Sequence, residues 1–404
     1  MTKRGTDTEA TLQTTTELIG DRQLTSVPTL MAGPLHGLGV RLGLIRPDSA
    51  NTLLLGLAIA GLLWAVLMLL AAATGTLNQL LSLSVIAGHV RILVALPLIL
   101  ACEGVVEAAL GPFVRGLMVS EIVRGAAVTA LQRECDRFNR LTSSRLPEVL
   151  LFIVATVPDW VSMDVPVFGA TAMRPVHTGA EMPAAGLWYW LVCLPVFRFL
   201  LLRAVFRLGV WYLLLWRLSR IELNLVPTHP DRVGGLRFVA EVQLGFILLT
   251  AAVATVVSAA IAEQIATQGG HLRSHYGTIV VTLLACATAF IAPLLMFAGR
   301  LWRVRLRGRA AYADLAAGYV GAFDAKWLCG GAGERDLLGS ADLQSLADLG
   351  NSVQVIDEMK IAPVTQEMVV QYAMAGIIPM LPLLLFEFPM DEIAAHVLEK
   401  LLGA

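Results

Sequence analysis

The run TLLLGLAIAGLLWAVLMLLAAA, from Thr52 to Ala73, decides the fold class, because twenty-two residues pass without a charge. At about 1.5 Å per helical residue, that length crosses a hydrocarbon layer of roughly 30 Å. Further apolar runs follow at about His89–Leu110, Pro147–Met163, Leu187–Phe206, Phe238–Ile265, Tyr276–Arg300 and Met368–Phe386. The third is the shortest and ends at Pro158 and Asp159. The sequence therefore predicts an all-α chain: a polytopic bundle of about seven transmembrane helices with short amphipathic cytoplasmic helices. Composition points the same way. Apolar residues make up 56% and charged residues 15% of the chain, against about 25% charged in an ordinary soluble domain.

Arginine placement orients the bundle. With the N-terminus in the cytoplasm, the inside segments hold Arg41 and Arg46, then Arg115, Arg124, Arg133, Arg137, Arg140 and Arg145. They also hold Arg217, Arg220, Arg232 and Arg237, and after the sixth span Arg303, Arg305, Arg307, Arg309 and Lys326. The outside segments offer only Arg91, Arg174, Arg273 and Lys400. Excess Lys and Arg on the cytoplasmic side is the expected bias. Trp160, Trp188, Tyr189 and Trp190 then mark the outer interface, and Trp211, Tyr212, Trp216 and Trp302 the inner one; amphipathic rings favour the headgroup level.

Four regions follow. Residues 1–50 form a polar, Thr-rich, partly mobile cytoplasmic segment, much of 1–30 mobile or loosely docked, with no cleavable signal peptide. Residues 51–300 carry six spans and a helical cytoplasmic loop at about 113–146. Residues 301–366 are cytoplasmic and helical. Residues 367–404 supply the seventh span and a short amphipathic helix, Met390–Leu402, on the outer face. The fourth span should continue as one long helix toward Asn224, taking Arg207, Arg217 and Arg220 to anionic headgroups. A second cytoplasmic helix is expected over Arg115–Arg140. A third, Ser340–Lys360, has Ser340 as N-cap and a stripe of Leu343, Leu346, Leu349, Val353 and Ile356.

Charge inside the spans is the most informative chemical feature. Glu103 and Glu107 lie in the second span, Arg198 and Arg203 in the fourth. Counted inward from the outer ends, Glu103 and Arg198 fall at about 16–18 Å, and Glu107 and Arg203 at about 24 Å. A central charge costs about 2.5–3.5 kcal/mol to insert. The cheapest arrangement pairs Glu103 with Arg198 and Glu107 with Arg203, or the crossed pairs, and makes the two spans neighbours. The deeper pair has a second escape, snorkelling to the inner headgroups. These groups either line an ion or proton pathway or hold helices together. Glu241, just inside the fifth span, is a third acid, or simply a first-turn residue.

Other clusters are weaker. In the turn Pro227 to Leu236, His229 and Asp231 could hold a metal or move a proton, and Arg232 with Gly234 and Gly235 could hold an anion. The same residues make a rigid turn that caps its flanking helices. Asp342, Gln344, Ser345 and Asp348 form a polar face, either a binding surface or a solvated one. His271 and His275 lack a third metal ligand. No motif for nucleotide, hydrolase or metalloprotease chemistry occurs, so no catalytic residue, metal or cofactor is assigned. A net charge of −1 argues against nucleic acid. The five cysteines are scattered, without a CxxC pair, and read as packing residues.

Three stretches occur together: His89 to Leu98, the Thr228–Arg232 turn with Gly234, Gly235 and Leu236, and Leu338 to Leu349. In them the chain resembles a family of multi-pass bacterial inner-membrane proteins of no established activity, over about residues 52–388. The resemblance implies a bacterial inner membrane and supplies no catalytic residue. The functional expectation is a channel or transporter for an ion or small solute, using the buried Glu/Arg pairs. The alternative is a membrane-anchored scaffold or sensor that meets a partner through its basic cytoplasmic face. A membrane enzyme using His229 and Asp231 comes third. Expected partners are the bilayer, anionic headgroups, and a second copy of the chain or another protein.

Overall fold

The apolar runs fold as helices because no water in a bilayer can satisfy an open backbone. The computed structural model describes residues 27–30, 52–156, 184–329 and 340–387. Every regular element among them is helical. In order these are α1 Leu53–Ala73, α2 Leu77–Leu80, α3 Leu83–Val119, α4 Ala126–Ser143 and α5 Arg145–Thr156. There follow α6 over 184–218, α7 Arg237–Gln268, α8 Leu272–Trp327, α9 Ala341–Asp357 and α10 Gln366–Phe386. Five of them, α1, α3, α7, α8 and α10, are long and apolar enough to cross a membrane. Most of the 1–50 segment with Arg41 and Arg46, residues 157–163 of the third run, Arg174, and the Met390–Leu402 helix with Lys400 lie outside the described residues.

Helices α3 and α7 form the centre. Of α7's most apolar window 67% is buried, against 17% for α8. The outer helices expose Leu62, Leu69, Val281 and Leu284. That is tolerable in hydrocarbon and costly in water, at about 25 cal/mol per Å². Small residues set the close approaches. A Cβ on Gly56 would sit 2.9 Å from the Pro97 Cα, so α1 lies directly on α3. Gln243, fully buried, ties four helices together. Its Oε1 accepts from Trp211 Nε1 (2.9 Å), its Nε2 donates to the Phe290 carbonyl (2.8 Å), and its own carbonyl accepts from the Tyr372 hydroxyl (2.5 Å).

Two π-helical turns, Arg91–Ala95 in α3 and Tyr189–Cys193 in α6, precede Pro97 and Pro195. A proline removes an N–H from the helical ladder, and a wider turn absorbs the mismatch. The two turns meet, with Arg91 Nη1 donating to the Tyr189 hydroxyl at 3.2 Å.

Three expectations need correction. The helix expected over Arg115–Arg140 is broken at residues 120–125, where Glu121 and Gly125 take φ of 50° and 55°. The break drops Ile122 into the core and offers its carbonyl to Asn224 N at 2.7 Å. The fourth-span helix stops at Leu218, short of Asn224. Backbone groups beyond it are taken by neighbours, including the Ile221 carbonyl, which accepts from Arg300. Ser340 does occupy the N-cap of α9, but its hydroxyl makes no capping bond.

Candidate functional site

Helical spacing builds the site. Glu103 and Glu107, four apart on α3, face Arg203 and Arg207, four apart on α6. Arg203 Nη1 donates to both oxygens of Glu103 at 2.7 Å, and its Nε to Glu148 Oε1 at 3.2 Å. Arg207 Nη1 lies 2.7 Å from Glu103 Oε2 as an ion pair, without hydrogen-bond alignment. Glu103, Glu148, Arg203 and Arg207 are all buried. Two carboxylates thus meet two guanidinium groups across α3, α5 and α6. Arg203 is too deeply enclosed to snorkel.

Of the expected pairings, the structure brings together Glu103 and Arg203. Glu107 is held by the chain ahead of α1: Thr29 Oγ1 donates to its Oε1 (2.6 Å) and Leu30 N to its Oε2 (2.5 Å). Thr29 N donates to Asn139 Oδ1 (2.8 Å), and Thr142 Oγ1 donates to the Thr29 carbonyl (2.8 Å). Residues 27–30 are therefore tightly docked, and Leu30 is buried. Arg198 is buried on α6, five residues from Arg203. Glu241 is a surface acid, 3.2 Å from Arg237.

Sequence reasoning missed Glu148, Arg207 and Glu263. Glu148 stands in the first turn of α5 and Arg207 just past the expected end of the fourth span. Glu148 was given no role, and Arg207 was expected among headgroups; Glu103 draws Arg207 into the interior instead. Of its companions, Arg217 pairs with Glu134 (2.8 Å), and Arg220 lies 4.2 Å from the Trp216 ring centroid. Glu263 is buried near the other end of the bundle and accepts from Ala87 N at 3.1 Å. A search for any charge within an apolar run would have found it.

The Pro227–Leu236 turn is organised around Asp231. Its Oδ1 accepts from Val233 N (2.9 Å) and Gly235 N (3.0 Å), and its Oδ2 from Arg237 N (3.2 Å). His229 Nδ1 lies 2.8 Å from Asp231 Oδ1. Of the two glycine amides expected to hold an anion, that of Gly235 is thus engaged by this carboxylate, at the start of α7. Arg232 pairs with Glu358 at 2.9 Å. No group of three or more His, Cys, Asp or Glu suited to a metal occurs among the described residues.

On the α8–α9 hairpin, Asp342 accepts from Lys326 Nζ and from Trp327 Nε1 (3.1 Å), while Tyr319 OH donates to its carbonyl (3.0 Å). Lys326 and Trp327 hold the Asp342 carboxyl below its ordinary range. Gln344, Ser345 and Asp348 are exposed. Burial pushes the Cys135 thiol of α4 up to about 12, followed by the neighbouring Asp136 and Glu134 charges. Comparison of the chain with protein families, curated proteins and solved structures finds no match.

Proposed function

We propose that this protein is a membrane-anchored scaffold or sensor that presents a helical hairpin and a basic face to the cytoplasm. The observation carrying this reading is the contrast between a neutralised interior and a projecting α8. The Glu103, Glu148, Arg203 and Arg207 cluster balances its formal charges. Breaking such a pair is costly, whereas an intact one holds helices in register. Helix α8 runs 56 residues, about 84 Å at helical rise, far beyond a hydrocarbon layer of roughly 30 Å. Its distal half pairs with α9; there α8 exposes Leu315 and Val320, and α9 exposes Leu343.

Seven spans, with the N-terminus inside and the C-terminus outside, accommodate the contacts. The ends of α3 and α6, the start of α7 and the charged part of α8 gather on one side. On the other, Arg273 of α8 pairs with Glu387 at 2.9 Å. The membrane proposed is a bacterial inner membrane, on the resemblance read from the sequence alone. A transport role is the second reading. It is favoured by Glu148 Oε2, which is buried without a hydrogen-bond partner among the described residues and is a candidate proton carrier.

Reconstitution into potassium-loaded vesicles separates the two. Proton and potassium leak should match protein-free vesicles, and a photo-crosslinker at Leu315 in cells should give one discrete protein adduct that the same probe at Leu69 does not. A leak that Glu103→Gln or Glu148→Gln abolishes would establish transport instead.

A further inference from the structure

The arginines of α8 from Arg300 to Arg309 divide into two sets. Arg305 and Arg309 turn to α9, donating to the Asp357 carbonyl (2.5 Å) and carboxylate (2.7 Å). Arg300, Arg303 and Arg307, spaced three and four apart, share another face. That face lines a cleft of about 970 Å³, closed by the link after α6 with Arg220 and Glu222, and by Arg124 ahead of α4. Five guanidinium groups and one carboxylate therefore converge on one space.

Several of these cations are held in place. Arg300 donates to the Ile221 carbonyl, Arg220 lies over Trp216, Arg303 Nε donates to the Gly299 carbonyl at 3.1 Å, and Arg124 pairs with Glu121. Elsewhere on this face acids neutralise Arg217, Arg232, Arg237 and Arg309. Among the described residues Arg220, Arg303 and Arg307 have no such carboxylate. Gathered like charges repel, and an anion seated among them relieves that repulsion. Guanidinium forks match phosphate oxygens in pairs, and the volume suits a small ligand of ordinary size, about 300–1,000 Å³.

Depth narrows the source. Met296 and Trp302 are exposed on α8. Arg300 to Arg307 lie about 6–17 Å beyond Met296 along the helix, from headgroup level into the aqueous phase.

We propose that this cleft binds an anion carrying at least two phosphate groups, presented by a lipid headgroup or by a soluble phosphate ester. The proposal rests on the functional reading above only for the side of the membrane the cleft faces. It stands or falls on binding, whatever the flux assay returns.

The test uses the full-length protein in uncharged detergent. Inorganic pyrophosphate is titrated calorimetrically, and cardiolipin is compared with phosphatidylcholine by native mass spectrometry. Arg303→Gln with Arg307→Gln, both at exposed positions, should weaken binding at least tenfold. Glu222→Gln should tighten it at least twofold, and Arg237→Gln, outside the cleft, should stay within twofold of the parent. Loss confined to cardiolipin assigns a lipid headgroup, and loss confined to pyrophosphate assigns a soluble ester; either supports the site. Absence of binding to both probes, or an equal loss in Arg237→Gln, overturns it. Should the double variant fold poorly, the Glu222→Gln result decides alone, and unchanged affinity there rejects the cleft.

Discussion

Glu103 carries two guanidinium groups, so removing its charge leaves more than one cation exposed to the interior. Glu103→Gln should destabilise the protein by about 3–5 kcal/mol, the range for breaking a buried ion pair. Thermal unfolding in detergent, followed by size-exclusion fluorescence, measures it; a loss under about 1 kcal/mol would mean that Arg203 and Arg207 find other acceptors. That an acid of α3 meets an arginine of α6 was legible from sequence, because unpaired charge is costly inside a span; the partner was not, since counted depth set Glu103 against Arg198 and placed Arg203 deeper. Nor was the engagement of Glu107 by Thr29 and Leu30. Its partners come from a polar segment with no periodicity, and Leu30 N, a backbone group, leaves no mark in the residue pattern. Glu148 and Arg207 were missed because span ends are blurred by several residues, and a charge at an end reads as interfacial.

At the scale of elements, five of the seven apolar runs coincide with helices long and apolar enough to cross a membrane, whereas the breaks at residues 120–125 and after Leu218 depended on tertiary contacts. Gly235 shows why. Its φ of +98° suits glycine, and an added Cβ would lie 2.6 Å from Ile122 Cδ1. Gly235→Ala should therefore cost about 1–3 kcal/mol. Adding Ile122→Val, which removes that Cδ1, should recover the steric part and leave the backbone part. Chemical denaturation of the two variants beside the parent checks this. The α8–α9 hairpin has a pH response of definite sign. Lys326 and Trp327 lower the Asp342 carboxyl in the folded state, so its contribution is complete above the ordinary carboxylate value. It is lost as pH falls through the lowered one. Trp327 fluorescence should report opening of the hairpin in acid, and Asp342→Asn should remove the pH dependence of that change. An Asp342→Asn titration superimposable on the parent's would assign the opening to other groups.

For the whole molecule, the proposed orientation places Cys329 on the cytoplasmic side. This thiol is exposed, while Cys102, Cys135 and Cys193 are buried. A membrane-impermeant maleimide should modify Cys329 in inverted vesicles and leave it untouched in right-side-out ones. Cys135, buried and with its thiol held up at about 12, should react only after unfolding. Labelling of Cys329 from the outer side would reverse the topology. The docking of residues 27–30 also has a consequence for biosynthesis. Thr29 bonds to Thr142, 113 positions later in the chain. At about 5–20 residues per second, the ribosome needs roughly 6–23 s to deliver that partner, and by then both α1 and α3 have been translated. Residues 27–30 must wait for that berth, so their closure can come only after α1, α3 and nearly all of α4 have been made.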